Sequence, residues 1–261
     1  MSARVSIVTT TYNAAAHIGR MLDAIALLDW DSLECVIVDD GSRDGTVDLV
    51  RRRAAAGPRI RLLTPGRIGR ARALNLGVDA AAGPLIAIND ADDISLPHRL
   101  RRQVAALTDS PGSVAVGTAF VTVAEHGDMP VPLVPPDPGG RIIEFAAADF
   151  YRGNRVAHST LLFRKSAWAA AGGYNEDLGS CIDFDFYFRL LGQGRFVYVD
   201  EPLVHVRLSP HSSFKRRRFP DYFRDYRAAL ATGRRMNRIP WALRIYDLKP
   251  CWYHVRKVLV Q

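Results

Sequence analysis

Between Arg4 and Asp93 strand-like and helix-like runs alternate four times, and the fourth strand, Leu85–Asn89, ends on Asp90, Asp92 and Asp93. Arg4–Asn13 is an apolar strand opening into a polar loop, followed in Ala14–Leu28 by Ile18, Met21, Leu22 and Ile25 at helical spacing. Glu34–Asp40 leads through G-S-R-D-G-T into a helix over Val47–Ala55, and Ile60–Leu63 leads into a helix over Arg70–Ala82. Apolar strands separated by helices predict a parallel sheet covered on both faces. Ligands of such sheets bind beyond the carboxyl ends of the strands. Here those ends carry Thr10–Thr11, Asp39–Asp40 and Asp90–Asp92, so the candidate site is acidic.

Clustered carboxylates repel one another and need a cation or hydrogen-bond donors nearby. A hard divalent ion bridging two Asp at spacing i, i+2 to diphosphate oxygens is one solution. A polar turn, with Ser95 capping a helix that begins near Pro97, is the structural alternative. No G-x-G-x-x-G follows the first strand and no Walker-type phosphate loop is present, which counts against a dinucleotide oxidoreductase. An acidic pocket that binds a nucleotide needs a metal to mediate the phosphates.

The 261 residues suffice for one large domain or for one domain with an appendage. No apolar run is long enough to span a bilayer, and the polar Thr9–Thr11 and Asn13 interrupt any signal-peptide core. Cys35, Cys181 and Cys251 are widely spaced and odd in number, which fits a reducing cytoplasm. The net charge of +8 is unevenly distributed. From Phe214 onward there are 13 Lys and Arg against 3 Asp and Glu, so the tail carries all of the excess.

V-S-I-V-T-T-T-Y-N, V-I-V-D-D-G-S-R-D-G-T, G-R-A-R-A-L-N-L-G and I-N-D-A-D-D-I-S-L-P-H-R-L together resemble the nucleotide-sugar half of the family 2 glycosyltransferases. V-A-H-S-T-L-L-F-R-K-S-A-W-A-A-A-G-G-Y, I-D-F-D-F-Y-F-R-L and E-P-L-V-H-V-R are similar to that family's acceptor-side segment, base motif and closing strand. The matches run in order over roughly residues 4–213. The resemblance implies the GT-A fold, an α/β/α sandwich with a mostly parallel central sheet. It also implies inverting transfer of a sugar from a nucleoside diphosphate. Asp92 would ligate Mn2+ or Mg2+, with Asp90 on the metal or the ribose. Thr10, Thr11 and Tyr12 would line the nucleoside, Asp40 with Asp39 beside it would meet the base, and Arg72 would lie close by. His158 stands where relatives carry a histidine facing the diphosphate or acceptor. Asp183 would be the catalytic base, and Asp185 an acid of a helix's first turn. Two departures stand out: Ile182 replaces the usual Glu before the base, and Ser209 stands where relatives have the histidine, with His211 two residues beyond. A GT-A-like domain that binds nucleotide or glycan without turnover is the alternative, distinguished by having no need of Asp183. A nucleotidyltransferase would want a basic phosphate loop that is missing.

The expected organisation is a donor half (1–125), an acceptor half (126–213) and a basic, aromatic helical tail (214–261). Gly127–Gly140, rich in Pro and Gly, joins the halves. In the tail, K-R-R-R (Lys215–Arg218) precedes Phe219, Tyr222, Phe223 and Tyr226 at helical spacing, and Pro240–Tyr246 and Pro250–Val260 mix aromatic with basic residues. That pattern suits the surface of an anionic membrane, or aromatics packed back on the sheet. The acidic front half argues against nucleic acid as a partner. The expectation is a cytoplasmic protein, with peripheral attachment to the inner membrane face as the tail's role and a glycan or lipid-linked acceptor. The Q-x-x-R-W signature of processive synthases is absent, which favours transfer of a single sugar.

Overall fold

The computed structural model describes residues 3–56, 59–124, 140–208 and 218–248. Strands β1 (Val5–Thr11), β2 (Leu33–Asp39), β3 (Ile60–Leu63) and β4 (Leu85–Ile88) run parallel in the order β3-β2-β1-β4. They are joined through α1 (Ile18–Ala26), α2 (Thr46–Ala56) and α3 (Arg70–Ala80). Strand order reverses at β1, so a crevice opens past the carboxyl ends of β1 and β4. Beyond β4 the sheet becomes mixed. β8 (Leu162–Arg164) is antiparallel to β4 and to β6 (Ser113–Ala124). β9 (Arg195–Leu208) runs parallel to β6 but antiparallel to the short β5 (Ile94–Ser95) and β7 (Ile142–Phe145). The α/β class and the parallel opening block agree with the alternation of the sequence.

Side chains of the central strands alternate between two cores, as a period of two requires. Ile7, Cys35, Ile37 and Ala87 face α1, α2 and α4 (Arg99–Asp109). Val8, Val36, Ile86 and Ile88 face α3 and the helices of the second half: α5 (Ala147–Arg152), α6 (Lys165–Ala171) and α7 (Ile182–Leu191). Gly77 lets α3 lie close to the sheet, because a Cβ there would sit 2.6 Å from a methyl of Val8.

Ser95 does not cap a helix. It lies in β5 and donates to Asn89 Oδ1 (2.6 Å), while α4 begins at Arg99 without a side-chain cap. The first part of the tail is α8 (Phe219–Met236), which packs along α7. Tyr226 stacks on Phe184 at 5.6 Å, Ala229 and Leu230 are buried, and a Cβ on Gly233 would meet the Phe188 ring at 2.9 Å. This stretch of the tail is therefore core. Asp247, in the short 3-10 helix Trp241–Leu248, accepts hydrogen bonds from Tyr151 and from Arg234 (2.8 Å) and ties that helix to the body. Most of the loop at 127–140, Ser209 and His211, Lys215–Arg217, and Cys251 with Trp252 and Tyr253 lie outside the described residues.

Candidate active site

The carboxyl ends of β1 and β4 open into a cleft of about 1100 Å³. Thr10, Thr11 and Tyr12 line it from β1 and the loop beyond, Asp90 and Asp92 from the end of β4, and Asp40 from the end of β2. A smaller cavity of about 270 Å³ adjoins it. Arg70, Asp90, Gly179 and Ile182 line both, and the smaller one adds His158 and Asp183. All the sequence-predicted residues but Asp39 thus line one or both of two adjoining spaces, with Asp92 on one and Asp183 on the other.

The end of β4 is held in place by a buried arginine. Arg99 is fully buried and donates five hydrogen bonds, to Gln103 Oε1, Asn89 Oδ1, Ser95 Oγ, and the carbonyls of Ile88 and Leu161. Gln103 in turn donates to the carbonyls of Val116 and Thr160. Asp93 turns inward, accepting from the Arg207 backbone N–H (2.8 Å) and from the Ser159 hydroxyl. Burial, reinforced by the charges of Asp90 and Asp92, pushes its pKa up to about 8.

Asp90 and Asp92 differ in environment. Both oxygens of Asp90 accept from one nitrogen of Arg70, at 2.7 and 3.0 Å. Burial is the largest single influence and opposes the Asp90 charge, but Arg70, His158 and the hydrogen bond with Ser159 together outweigh it and lower the pKa. Asp92 lies on the cleft wall, and burial, then the charge of Asp90, raises its pKa. Among the described residues no cluster of three or more His, Cys, Asp or Glu could alone hold a metal. Mg2+ and Mn2+ are commonly bound by one or two carboxylates together with substrate phosphates. Asp92, with Asp90 beside it, matches that number of carboxylates on one wall of the cleft.

His158 joins the same network. Its Nδ1 faces Arg70 Nη2 at 3.2 Å, and its Nε2 faces the Tyr174 hydroxyl at 3.0 Å. A guanidinium can only donate, so Nδ1 is the acceptor and the ring proton sits on Nε2. Burial, then the Arg70 charge, lowers the pKa to about 4. His158 is therefore a neutral prop for Arg70 near neutral pH.

Arg70 and not Arg72 faces Asp90. Residues two apart on a helix point about 200° apart, and Arg72, on the rim, pairs with Glu176 at 3.0 Å. Asp39 does not line the cleft. Its Oδ2 accepts from the backbone N–H groups of Gly41 and Ser42 and closes the turn after β2. Asp40 is buried and already engaged, accepting from Arg67 and from the N–H groups of Ile68 (2.7 Å) and Gly69 (2.8 Å). It shapes the loop entering α3 and holds Arg67 over the Tyr12 ring, 3.8 Å from its centroid.

Asp183 and Asp185 are clearly separated. Asp183, in the first turn of α7, accepts from Asn154 Nδ2 at 3.2 Å and faces the smaller cavity. Asp185 is fully buried and bound to Arg189 at 2.6 Å. Several residues assembled here, among them Arg67, Arg70, Arg99, Tyr174 and Asn154, have no role in the reading of the sequence. Arg70 was within reach as the other arginine of G-R-A-R-A, whereas Asn154 has no local signature.

The family model described as glycosyl transferase family 2 matches residues 6–169. EpsE of Bacillus subtilis (strain 168), named as a glycosyltransferase, is 30% identical over 254 residues, covering 95% of this chain and 87% of EpsE. Some longer curated relatives are covered over only 20% of their length. Among solved structures, residues 1–349 of Staphylococcus aureus TarS give a TM-score of 0.73 at 17% identity, covering 97% of this chain and 73% of that one. The mannosyltransferase PcManGT of Pyrobaculum calidifontis, in complex with GDP-Man and Mn2+, gives 0.66 at 24% identity, covering 97% and 70%. These structures share the fold, and the family model spans the strands and the acidic loop that build the cleft. The chain is a glycosyltransferase and belongs to glycosyl transferase family 2.

Proposed function

We propose that this enzyme moves one sugar from a nucleoside-diphosphate sugar to a hydroxyl of a glycan or lipid-linked acceptor, with inversion at the anomeric carbon. One observation carries the reading. Asp90 and Asp92 line the larger space, Asp183 lines the smaller, and Arg70 stands between them on both. The donor occupies the larger space, its nucleoside along Thr10, Thr11 and Tyr12 and its diphosphate toward Asp90, Asp92 and Arg70. Asp92, with Asp90 beside it, would hold a divalent ion, which would supply positive charge to the leaving diphosphate. The acceptor enters the smaller space. Asp183 takes the proton from its hydroxyl as the oxygen attacks the anomeric carbon. The bond from that carbon to the diphosphate oxygen breaks on the opposite face, and the electron pair leaves with the diphosphate. A base so positioned is typically worth about 10²–10⁴ in rate.

The test is a thermal-shift panel of nucleoside diphosphates with and without Mn2+. Metal-dependent stabilisation by one nucleoside class supports the donor site, and no response to any of them refutes it.

The tail supports peripheral contact with an anionic membrane. No helix among the described residues is long and apolar enough to cross one. The helix Trp241–Leu248 instead presents Trp241 (83% exposed) and Ile245 (71% exposed), with Arg244 exposed beside them. Each basic residue near an anionic surface contributes on the order of 1 kcal/mol. Sedimentation with phosphatidylserine vesicles tests this, and equal recovery with neutral vesicles refutes it.

A further inference from the structure

The segment leading into Asp183 is held from behind by α8. Gly179 and Ile182 line both cavities, and Ser180 and Cys181 line the smaller one. Cys181 has φ of 54°, left-handed backbone that is costly for a residue with a Cβ, and it precedes α7 without a side-chain cap. A strained turn immediately before a reactive group persists only where its surroundings fix it. Two side chains of α8, three residues apart and so on one face, meet it. Tyr222 lies beside the Cys181 thiol. Asp225, fully buried, accepts at one oxygen from the Gly179 N–H (3.1 Å), the Ser180 N–H (2.9 Å) and the Ser180 hydroxyl (2.9 Å). Its other oxygen accepts from Arg224 at 3.0 and 2.9 Å, and Arg224 lines the larger cleft.

We infer that Asp225 is a positioning residue for transfer: from α8 it fixes the Gly179–Cys181 turn, and through it the placement of Asp183 beside the acceptor space. This rests on the proposed role of Asp183, but the clamp can be tested apart from it. The function of α8 is then more than closure of the core. It forms the rear wall of the acceptor side, so the C-terminal region and the donor half are parts of one catalytic unit.

The first measurement is hydrogen–deuterium exchange on the full chain without ligand. Asp225→Ala is expected to speed exchange of the 177–183 peptide at least tenfold, with the 85–93 peptide within twofold of wild type. Asp225→Asn retains an acceptor oxygen for the turn and is expected to recover most of that protection. Ser180→Ala, which removes one of the three donors, is expected to fall between. Should Asp225→Ala fail to fold, Asp225→Asn and Ser180→Ala carry the test. Exchange within twofold of wild type in both Ser180→Ala and Asp225→Ala (or in Ser180→Ala alone if the other does not fold) overturns the clamp. Equal loosening of the turn by Asn and Ala assigns the effect to the pairing with Arg224, and overturns it as well.

The second measurement uses whichever nucleoside-diphosphate sugar corresponds to the diphosphate found in the panel above. Asp225→Ala is expected to lower turnover at least tenfold and donor affinity by clearly less, since Gly179 and Arg224 also line the larger cleft, and Asp225→Asn to restore most of the turnover. A purely structural role would lower the active fraction without separating turnover from donor affinity. An equal loss of both overturns the positioning role. A panel without response refutes the donor reading and leaves the exchange result to decide on the clamp.

Discussion

Arg99→Met removes the support beneath the acidic loop while keeping the length and apolar stem of the side chain. Arg99 is fully buried and its five hydrogen bonds reach β4, β5, α4 and the segment before β8. Not all five acceptors are orphaned by the change. Leu161 O still accepts from the Ile88 N–H, and Asn89 Oδ1 still accepts from Ser95. Ile88 O and Gln103 Oε1 lose the arginine donor without a replacement in place. Among the described residues Arg99 makes no salt bridge, and the charge of Asp93 acts on it from farther away, so no ion-pair penalty is added. Two weakened buried acceptors at about 1–3 kcal/mol each give a loss of about 2–6 kcal/mol. That is a large part of the 5–15 kcal/mol typical of a folded protein. At about 2–4 °C per kcal/mol for a chain of this size, Tm falls by roughly 4–24 °C. Thermal and urea unfolding of Arg99→Met measure it, and the Asp93→Asn double-mutant cycle isolates the coupling. A Tm drop below about 3 °C would show that the loop does not depend on this strut.

Asp92→Asn should keep its melting temperature within about 3 °C, as a partly exposed substitution does, while calorimetry shows Mn2+-dependent nucleotide binding lost. Asp183→Asn should lower transfer by about 10²–10⁴ with donor affinity unchanged, whereas Asp185→Asn, which breaks the pair with Arg189 inside α7, should be read first as a lowered Tm. Gly77→Ala places a Cβ 2.6 Å from Val8 and 3.1 Å from Val38; such overpacking costs about 1–3 kcal/mol, measured by urea midpoint. Burial opposes the charge of Glu34, but hydrogen bonds from Ser6 and the Ala82 and Gly83 N–H groups win and lower its pKa below 4.5. Its stabilisation is therefore present above pH 4.5 and lost as pH falls through the folded value. Glu34→Gln should flatten that acid limb of the stability curve, and an unchanged limb would assign it to other carboxylates.

The first half of the fold was legible because its signals are local. Four apolar runs, their helical spacers and their polar ends fix the parallel block and the place of the crevice. The second half was less so. β8, of three residues, inserts between β4 and β6 by pairings that span long stretches of chain, and nothing local in L-F-R specifies an antiparallel partner. The site shows the same division. Asp90, Asp92 and Asp183 announce themselves by motif, but direction does not: Asp39 and Asp40 are neighbours, yet one closes a turn and the other braces the loop before α3.

Charge in the tail was legible and its consequence was not. The excess of arginine after Phe214 marks a basic segment, and aromatic residues among arginines look alike whether they face lipid or core. The contacts separate the buried from the exposed. Tyr226 lies against Phe184, while Trp241 is 83% exposed. The two outcomes fall on different helices, Tyr226 on α8 and Trp241 at the start of the 3-10 helix. Residues 222, 225, 226, 229, 230 and 233 share the α7-facing side of α8, and among them stands the acidic Asp225. A carboxylate on the buried face of a helix that carries four arginines runs against the charge of its segment. The turn it holds, immediately before Asp183, gives that placement a physical reason.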